Sequence, residues 1–373
     1  MKIIIKKDIL LENLNKVSKA ISTKNLVPAL AGIKFDLKKE GLTLTASDND
    51  ITIQTFIPYD SETMTINEEG SIIIQGKYIL DIVRKIPDKT LKIEVFDEMK
   101  IIIYTENSEY NLNGINKREY PNVSLEENKN PITLSTKVFK TLISQTSFAT
   151  STDESRPQLT GINFKINGFD LECNATDSYR LARKCIKLEK EVSNNYNIVI
   201  PSRNIVEFTK IIDDNNDIEL HIFNSKILFK SGNLLFQSRL INGSYPNTAN
   251  LLPQDSILKI TANINDLYNV IDRVSILTSD KEKNIVNLET IDNTLIMRSS
   301  SVEIGRVEEK MAITKNCDEN IKISFSARYM MEALKVLSGM NATISFVGEV
   351  NPIIIQDEED LDLIQLVLPI RTY

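Results

Sequence analysis

Apolar residues recur every three or four positions in six segments of the chain, which places them on one side of an α-helix. The six segments form three pairs. The first helix of each pair is predicted from Leu10, Leu14, Val17 and Ile21, from Val138, Leu142 and Thr146, and from Ile264, Leu267, Ile271 and Val274. The second is predicted from Ile79, Ile82, Val83 and Ile86, from Ile205, Phe208 and Ile212, and from Met330, Ala333, Leu334 and Leu337. We expect these stripes to pack into hydrophobic cores.

Between the predicted helices, apolar and polar residues alternate, a pattern typical of half-buried strands. The alternation is clear in the segments that begin at Leu42, Ile51, Ile218 and Leu295, and turn-forming pairs such as Asn167-Gly168 separate the strands. Two amphipathic helices among a majority of strands predict an α+β fold in which the helices pack on one face of the sheets.

The order of these elements repeats three times. Pro28–Phe35 is similar to Pro157–Phe164, and Tyr120-Pro-Asn122 recurs as Tyr245-Pro-Asn247. A third copy is weaker, but Ser326–Leu334 has the apolar pattern of Pro201–Thr209. Self-similarity at a fixed period indicates tandem units. We predict three similar domains at residues 1–127, 128–252 and 253–373.

Composition excludes several classes of protein. The longest apolar runs are too short to span a membrane, charge resumes too soon after Ile3–Ile5 for a signal peptide, and three cysteines do not make a disulfide framework. A cytoplasmic protein with reduced thiols is expected. The lone histidine, His221, argues against a multi-histidine metal site and a Ser-His-Asp triad, and the common phosphate-binding motifs are absent. No cofactor, metal or catalytic residue is predicted.

Charge is unevenly distributed. The formal net charge of −7 makes tight nucleic-acid binding improbable on average, yet basic residues are concentrated in the predicted helical segments. A solvated helix face would give the same pattern, so charge alone does not decide between the two interpretations. The basic residues concerned are Lys6, Lys7, Lys16, Lys19, Lys24, Lys77, Arg84, Lys85, Lys137, Lys140, Arg203 and Lys210.

Three segments resemble one family. Phe148–Ile162 with Ala175–Ala182 is similar to the central-domain signature of the bacterial sliding clamp, the β subunit of DNA polymerase III. Phe236–Pro246 resembles the end of that domain, and Leu366–Arg371 resembles the closing strand of the clamp. Together with the length and the threefold repeat, the resemblance covers essentially the whole chain.

The resemblance implies a non-catalytic processivity factor. Two protomers would join head to tail into a six-domain ring whose helices line a hole and whose sheets lie outside. Double-stranded DNA would pass through the hole without sequence reading, and weak, screened contacts would suit sliding. The implied partners are a second copy of the chain, the DNA polymerase III alpha subunit, the clamp-loader complex and other proteins with a clamp-binding motif. The implied location is cytoplasmic and nucleoid-associated, with no membrane contact.

The resemblance also implies two sets of site residues. The DNA-facing basic residues would be Lys24, Lys77 and Arg203, with Arg156 near the same surface. An apolar cleft between the middle and last domains would take a short linear peptide. Its walls would be Leu159, Thr176, Tyr179, Arg180, Leu181, Pro246, Leu251, Leu366, Leu368 and Pro369.

The chain departs from the family at several of these positions. Ser178 stands where Gly is frequent, Leu368 where Met is frequent, and Asn247–Asn250 replaces a stretch that bears Tyr and Arg in some members. Two residues, Thr372 and Tyr373, extend past the end seen in some relatives. The pocket for an aromatic anchor should survive these changes, while the specificity beside Asn250 should differ.

Two other interpretations of the sequence compete with a clamp. One is an enzyme that uses Asp177 and Arg180, although no nucleophile or metal cluster accompanies this pair. The other keeps the ring but makes it a peptide-binding scaffold that never encloses DNA. The basic helix positions argue against the scaffold, and the solution mass would test the ring.

Overall fold

All six predicted helices form, and each starts directly after a strand. The computed structural model describes residues 1–21, 27–97, 99–251, 255–278, 284–301 and 303–371. The helices are α1 (Lys7–Val17), α2 (Gly76–Lys85), α3 (Thr136–Ser144), α4 (Ser202–Ile211), α5 (Ile264–Ser275) and α6 (Ala327–Lys335). The expected apolar residues of α1 and α5 are buried, including Leu10, Leu14, Ile271 and Val274. The α+β prediction is confirmed.

One predicted stripe is wrong in detail. Val138 in α3 is 41% exposed, whereas Phe139, Leu142 and Ile143 are buried. The Phe139 ring lies 5.7 Å from the ring of Phe208 and 5.6 Å from that of Phe229. The larger aromatic side chain takes the inward position because it buries more apolar surface than the neighbouring valine.

The described chain divides into two compact units. The first comprises Met1–Phe139 and Glu207–Leu240, and the second comprises Lys140–Val206 and Ile241–Tyr373. Each unit holds two antiparallel sheets, and each helix begins at the residue that follows the end of a strand.

Sheet 1 and sheet 2 lie in the first unit. Sheet 1 has the order β5-β1-β7-β8-β9, and sheet 2 has the order β10-β13-β14-β15-β4-β3-β2-β6. Sheet 2 therefore joins strands of the first and middle repeats through the pairing of β4 with β15. The strands are β1 (Lys2–Lys6), β2 (Gly32–Lys38), β3 (Gly41–Ser47), β4 (Ile51–Pro58), β5 (Met64–Glu68), β6 (Gly70–Gln75), β7 (Thr90–Phe96), β8 (Lys100–Tyr104), β9 (Glu109–Asn113), β10 (Ile132–Ser135), β13 (Asp217–Ile222), β14 (Lys226–Ser231) and β15 (Leu234–Arg239).

Sheet 3 and sheet 4 lie in the second unit. Sheet 3 has the order β11-β12-β24-β23-β22-β16-β20, and sheet 4 has the order β19-β18-β17-β21. Sheet 3 joins the middle and last repeats through the pairing of β12 with β24. The strands are β11 (Gly161–Thr176), β12 (Arg180–Pro201), β16 (Leu258–Asn263), β17 (Ile285–Ile291), β18 (Thr294–Ser301), β19 (Gly305–Ala312), β20 (Thr314–Lys315), β21 (Lys322–Ser326), β22 (Asn341–Phe346), β23 (Ile353–Asp357) and β24 (Leu363–Val367).

Candidate functional site

The two main walls of the predicted cleft lie side by side in the second unit. Strand β24 pairs antiparallel with β12, so that Leu181 faces Leu366 across the ladder. One step further, the Leu368 backbone N–H donates to the Tyr179 carbonyl oxygen at 2.9 Å. Segments that are separated by more than 180 residues in the sequence are therefore held together by backbone hydrogen bonds.

Two small apolar clusters underlie these walls. Leu181 and Leu366 are buried with Ile354, and Leu368 packs against them while staying half-buried. Leu159 is buried in a second cluster with Val199 and Tyr245.

The Tyr245 hydroxyl ties the second cluster to the end of β11. Its oxygen accepts a hydrogen bond from the Thr176 backbone N–H at 3.0 Å. Burial raises the pKa of the Tyr245 phenol, which keeps this group neutral at physiological pH. The half-buried side chain of Leu368 offers an apolar surface that suits aliphatic or aromatic anchors of an extended peptide.

The loop that connects β11 to β12 is rigid because its backbone groups are satisfied locally. Asp177 Oδ1 accepts the N–H groups of Tyr179 at 2.9 Å and Arg180 at 3.1 Å. Ser178 has a φ of +78°, a left-handed conformation that costs a non-glycine residue strain. This explains physically why glycine suits this position. Tyr179 follows and is 61% exposed at the rim.

Arg180 has a different place from the one predicted. Its side chain is only 6% exposed and lies behind the wall. Its Nε donates to Asp177 Oδ2 at 3.0 Å, its Nη2 donates to the Phe148 carbonyl at 2.6 Å, and its Nη1 forms an ion pair with Glu332. The guanidinium also lies 4.5 Å from the centre of the Tyr329 ring. With these partners Arg180 fixes the wall and is not free to hold a peptide.

This geometry also answers the enzyme interpretation. The Asp177 carboxylate and the Arg180 guanidinium are occupied by each other and by the loop backbone. These hydrogen bonds give the pair a structural role in the loop.

The remaining predicted cleft residues lie at the surface. Pro246 is exposed and follows the buried Tyr245, Pro369 is half-buried after Leu368, and Leu251 is 45% exposed at the end of a short turn. No contact places Leu251 against the other described cleft residues, so its part in the cleft stays a prediction.

The structure brings one further basic residue to the cleft. The Arg156 Nη1 atom lies 3.4 Å from the Ser178 hydroxyl oxygen, beside the loop. Arg156 directly precedes Pro157–Thr160, the turn that carries Leu159. The resemblance implies that Arg156 lies near the DNA-facing surface, and this stays a prediction.

Two of the predicted DNA-facing residues, Lys77 and Arg203, lie on separate helices. Lys77 is exposed in the first turn of α2 and lines a depression of about 500 Å³ with Lys19 and Arg84. Arg203 is exposed in the first turn of α4. Lys24 lies outside the described residues. The depression beside Lys77 is the strongest concentration of positive charge around a described cavity.

Among the described residues, one group has the composition of a metal site. Glu127, Glu219 and His221 bring ligand atoms within 4.8 Å of one another. However, His221 Nδ1 accepts the Asn128 backbone N–H at 2.8 Å, which leaves the imidazole proton on Nε2, the atom that faces the carboxylates. Lys230 already pairs with Glu127 at 2.7 Å. The group therefore lacks a free nitrogen lone pair and serves to anchor the segment before β10.

Comparison with known proteins identifies the chain. Sequence models of the DNA polymerase III beta subunit match residues 1–124 as its N-terminal domain, 133–247 as its central domain and 249–371 as its C-terminal domain. The chain belongs to this family. It is 41% identical to the beta sliding clamp of Bacillus subtilis over 378 residues and 39% identical to that of Staphylococcus epidermidis over 377, with full coverage of both chains in each case.

Structural comparison agrees. The crystal structure of the DNA polymerase sliding clamp from Bacillus subtilis superposes with a TM-score of 0.96 at 41% identity and covers all of both chains. Membership gives the chain the function of a sliding clamp, a non-catalytic processivity factor in DNA replication. None of its described helices has the length and apolar character to cross a membrane.

Proposed function

We propose that two copies of this chain close head to tail into a ring around double-stranded DNA, and that the ring tethers its partners through the cleft of the second unit. The observation that supports closure is a pair of open sheet edges. Among the described residues, no strand covers the outer side of β9 in sheet 1 or of β19 in sheet 4.

The repeat indicates how these edges would pair. The last strand of the middle repeat, β15, pairs with β4 of the first repeat, and the last strand of the third repeat, β24, pairs with β12 of the middle repeat. In both cases the last strand of one repeat pairs with β4 or its counterpart in the preceding repeat. The two strands of these kinds that remain are β9, the last strand of the first repeat, and β19, the counterpart of β4 in the third repeat. Pairing of β9 with β19 of a second copy would complete the series and remove both open edges.

Side chains next to β19 favour such a contact. Arg273 in the last turn of α5 pairs with Glu309 of β19, with its Nη2 2.6 Å from Oε2. Three residues later, Ile276 is 71% exposed. An exposed large apolar residue beside an open edge is typical of a surface that is buried on assembly.

Mass measurement tests the ring directly. We expect sedimentation at micromolar concentration to give twice the 42.3 kDa of one chain. Ile276→Glu should shift the equilibrium to the monomer, because it places an unpaired charge in the contact. The matched control is Leu361→Glu, since Leu361 is equally exposed but lies in the β23–β24 turn of sheet 3. A monomeric wild type, or equal dimerisation of both variants, would contradict the proposal.

Retention on DNA tests encirclement. Loaded protein should remain on nicked circles and leave linear DNA through its ends, because the link is topological. Simultaneous change of Lys24, Lys77 and Arg203 to Glu should impair loading and leave dimerisation intact, since phosphates are then repelled.

The control changes three exposed lysines at or next to strand ends to Glu, which alters the net charge equally: Lys38, Lys39 and Lys100. Equal retention on linear and circular DNA would count against a ring, and equal impairment by both triple variants would count against the assigned residues.

The remaining parts of the proposal concern partners, boundaries and location. The cleft would bind short linear motifs of the DNA polymerase III alpha subunit, the clamp loader and other clamp-binding proteins. The domains would meet at 127/128 and 252/253, and the breaks between the family matches, at 124–133 and 247–249, support this division. The protein would act in the cytoplasm, on nucleoid DNA.

A further inference from the structure

A cavity of about 270 Å³ lies in the first unit, where strands of the first and middle repeats share sheet 2. Helix α1 contributes Glu12, Asn13 and Lys16 to its lining. The other walls are Thr55 of β4, Ser231 of β14 and Asp213 after α4. The cavity is distinct from the peptide cleft, which is formed by residues of the second unit, and from the depression beside Lys77.

Two buried hydroxyl groups in this cavity lack partners. Thr55 faces Leu234 across the β4–β15 ladder, and Leu234 faces Ser231 across the β14–β15 ladder, so the three side chains share one face of the sheet. Thr55 is 2% exposed and Ser231 is 5% exposed, and neither Thr55 Oγ1 nor Ser231 Oγ makes a hydrogen bond within the protein. Buried hydroxyls are normally paired, so these two atoms point to something that the cavity receives.

The second unit contains the equivalent junction, and there the corresponding side chains pair with neighbouring groups. Gln145 occupies the position of Lys16, 129 residues later, and its Nε2 donates to the Val336 carbonyl oxygen at 3.4 Å. Lys184 occupies the position of Thr55 and forms an ion pair with Asp360. Asp357 occupies the position of Ser231 and accepts the N–H groups of Ser338 and Gly339 at 2.8 Å each. Of these three side chains only Gln145 keeps a buried atom without a partner, its Oε1, whereas both hydroxyls of the first junction lack one.

The difference between the junctions has a local cause. The turn from β23 to β24 spans residues 358–362 and brings Asp360 to Lys184, whereas the turn from β14 to β15 consists of Gly232 and Asn233 alone. In the first unit Lys16, at the cavity lining, pairs with Glu12 at 2.7 Å. No described side chain of this junction therefore donates to Thr55 Oγ1 or Ser231 Oγ, in the way that Lys184 donates to Asp360 in the second.

We propose that this cavity binds a small organic cation whose N–H groups donate to the hydroxyls of Thr55 and Ser231. The lining carries the carboxylates of Glu12 and Asp213 against the single ammonium of Lys16, and the carboxyl-terminal end of α4 adds partial negative charge. The volume is below the range of drug-sized pockets, which limits the ligand to a compact alkylammonium or guanidinium compound. Because the ligand would touch elements of two repeats, binding should raise the unfolding temperature.

Agmatine, which carries a guanidinium and a primary ammonium, is a suitable probe. Equilibrium dialysis of the full chain should show saturable binding of one agmatine per protomer, with 1,5-pentanediol and glutarate binding at least tenfold more weakly. The double variant Thr55→Val with Ser231→Ala should bind agmatine at least tenfold more weakly. Ser71→Ala is the matched control, because Ser71 Oγ in β6 also lacks a partner but lies outside the cavity.

Several results would overturn the proposal. These are the absence of saturable binding, equal affinity for the diol or the dianion, and undiminished binding by the double variant. A crystal of the unaltered chain soaked with agmatine gives an answer that does not depend on the folding of any variant. Density for agmatine between Thr55 and Ser231 is expected, and water alone at that place would refute the assignment.

Discussion

At the scale of single residues, Arg180 shows how the cleft is kept in shape. Its guanidinium connects the loop after β11, through Asp177, with Glu332 on α6 of the last repeat. The bonds to Asp177 and the Phe148 carbonyl use the fixed fork of the arginine side chain, which lysine cannot reproduce. The cleft wall is therefore held from behind by a buried guanidinium.

Replacement of this residue should destabilise the protein more than a surface change would. In Arg180→Met the Asp177 carboxylate loses its ion-pair partner, and Glu332 keeps only its longer contact with Arg328 at 3.5 Å. Breaking a buried ion pair costs about 3–5 kcal/mol. We expect the additional change Glu332→Gln to recover part of this loss, because it removes a carboxylate that Arg180 no longer balances. Denaturant titration of the single and double variants measures the coupling.

Arg156→Met is the control for that measurement, since Arg156 is also in this loop region but is exposed. Its unfolding midpoint should stay close to that of the wild type. If Arg180→Met loses as little stability as Arg156→Met, Arg180 does not stabilise the loop after β11.

At the scale of elements, Asp357 closes the end of α6. Its buried carboxylate accepts the N–H groups of Ser338, Gly339 and Glu359 at 2.8–2.9 Å. Burial alone would raise the pKa of Asp357, but the backbone hydrogen bonds from Glu359, Gly339 and Ser338 outweigh it and hold the pKa below its usual value of 3.8. The helix end and strand β23 are thereby joined by a charge-assisted contact.

This contact gives stability a defined dependence on pH. Because the pKa is lower in the folded than in the unfolded state, the contribution is fully present above the unfolded pKa and is lost as pH falls through the folded pKa. Asp357→Asn should therefore lower the free energy of unfolding at pH 7 by about 1–2 kcal/mol. The difference in the free energy of unfolding between Asp357→Asn and the wild type should narrow below about pH 4. Thermal unfolding measured from pH 7 to pH 2 checks this prediction, with Asp318→Asn as the control because Asp318 is exposed. A stability difference between Asp357→Asn and the wild type that widens in acid would contradict this account.

The elements themselves were largely predictable, because helix periodicity and strand alternation are local properties of the chain. The error at Val138 arose where spacing alone could not decide between two adjacent apolar residues. Phe139 is inward because its ring packs against Phe208 and Phe229, and Phe208 in turn packs against Phe236. That cluster assembles residues nearly 100 positions apart, which no local pattern reveals.

The candidate site was predictable only in part, for the same reason. Leu181 and Leu366 could be assigned to one cleft through the family resemblance, whereas the strand pairing that joins them is a long-range property. The role of Arg180 depends on Glu332, 152 residues away, and that of Arg156 on the loop beside it. The family resemblance placed Arg156 near the DNA-facing surface, and this stays a prediction.

At the scale of the whole molecule, the threefold repeat is used differently at each junction. Two junctions are continuous sheets within the chain, and the proposed third would form only between two copies. The junction of the first and middle repeats leaves a polar cavity, while that of the middle and last repeats carries an apolar cluster of Leu181, Ile354 and Leu366. The side chains at the two junctions thus differ although the strand pairing is the same.

The cleft should bind a pentapeptide or hexapeptide of the Gln-Leu-x-Leu-Phe type between Thr176–Leu181 and Leu366–Pro369. Two or three buried anchors contribute roughly 1.5–3 kcal/mol each, against the costs of ordering and association. The net corresponds to a micromolar Kd, about −8 kcal/mol.

Leu159→Trp should fill the pocket and deletion of Leu368–Tyr373 should remove one wall, so both should abolish binding in a titration with labelled peptide. Asn250→Ala should have a smaller effect, because Asn250 is exposed and a rim side chain remains solvated. Deletion of Thr372 and Tyr373 alone is the control and should bind normally. If the longer deletion binds as tightly as this control, the peptide site lies elsewhere on the protein.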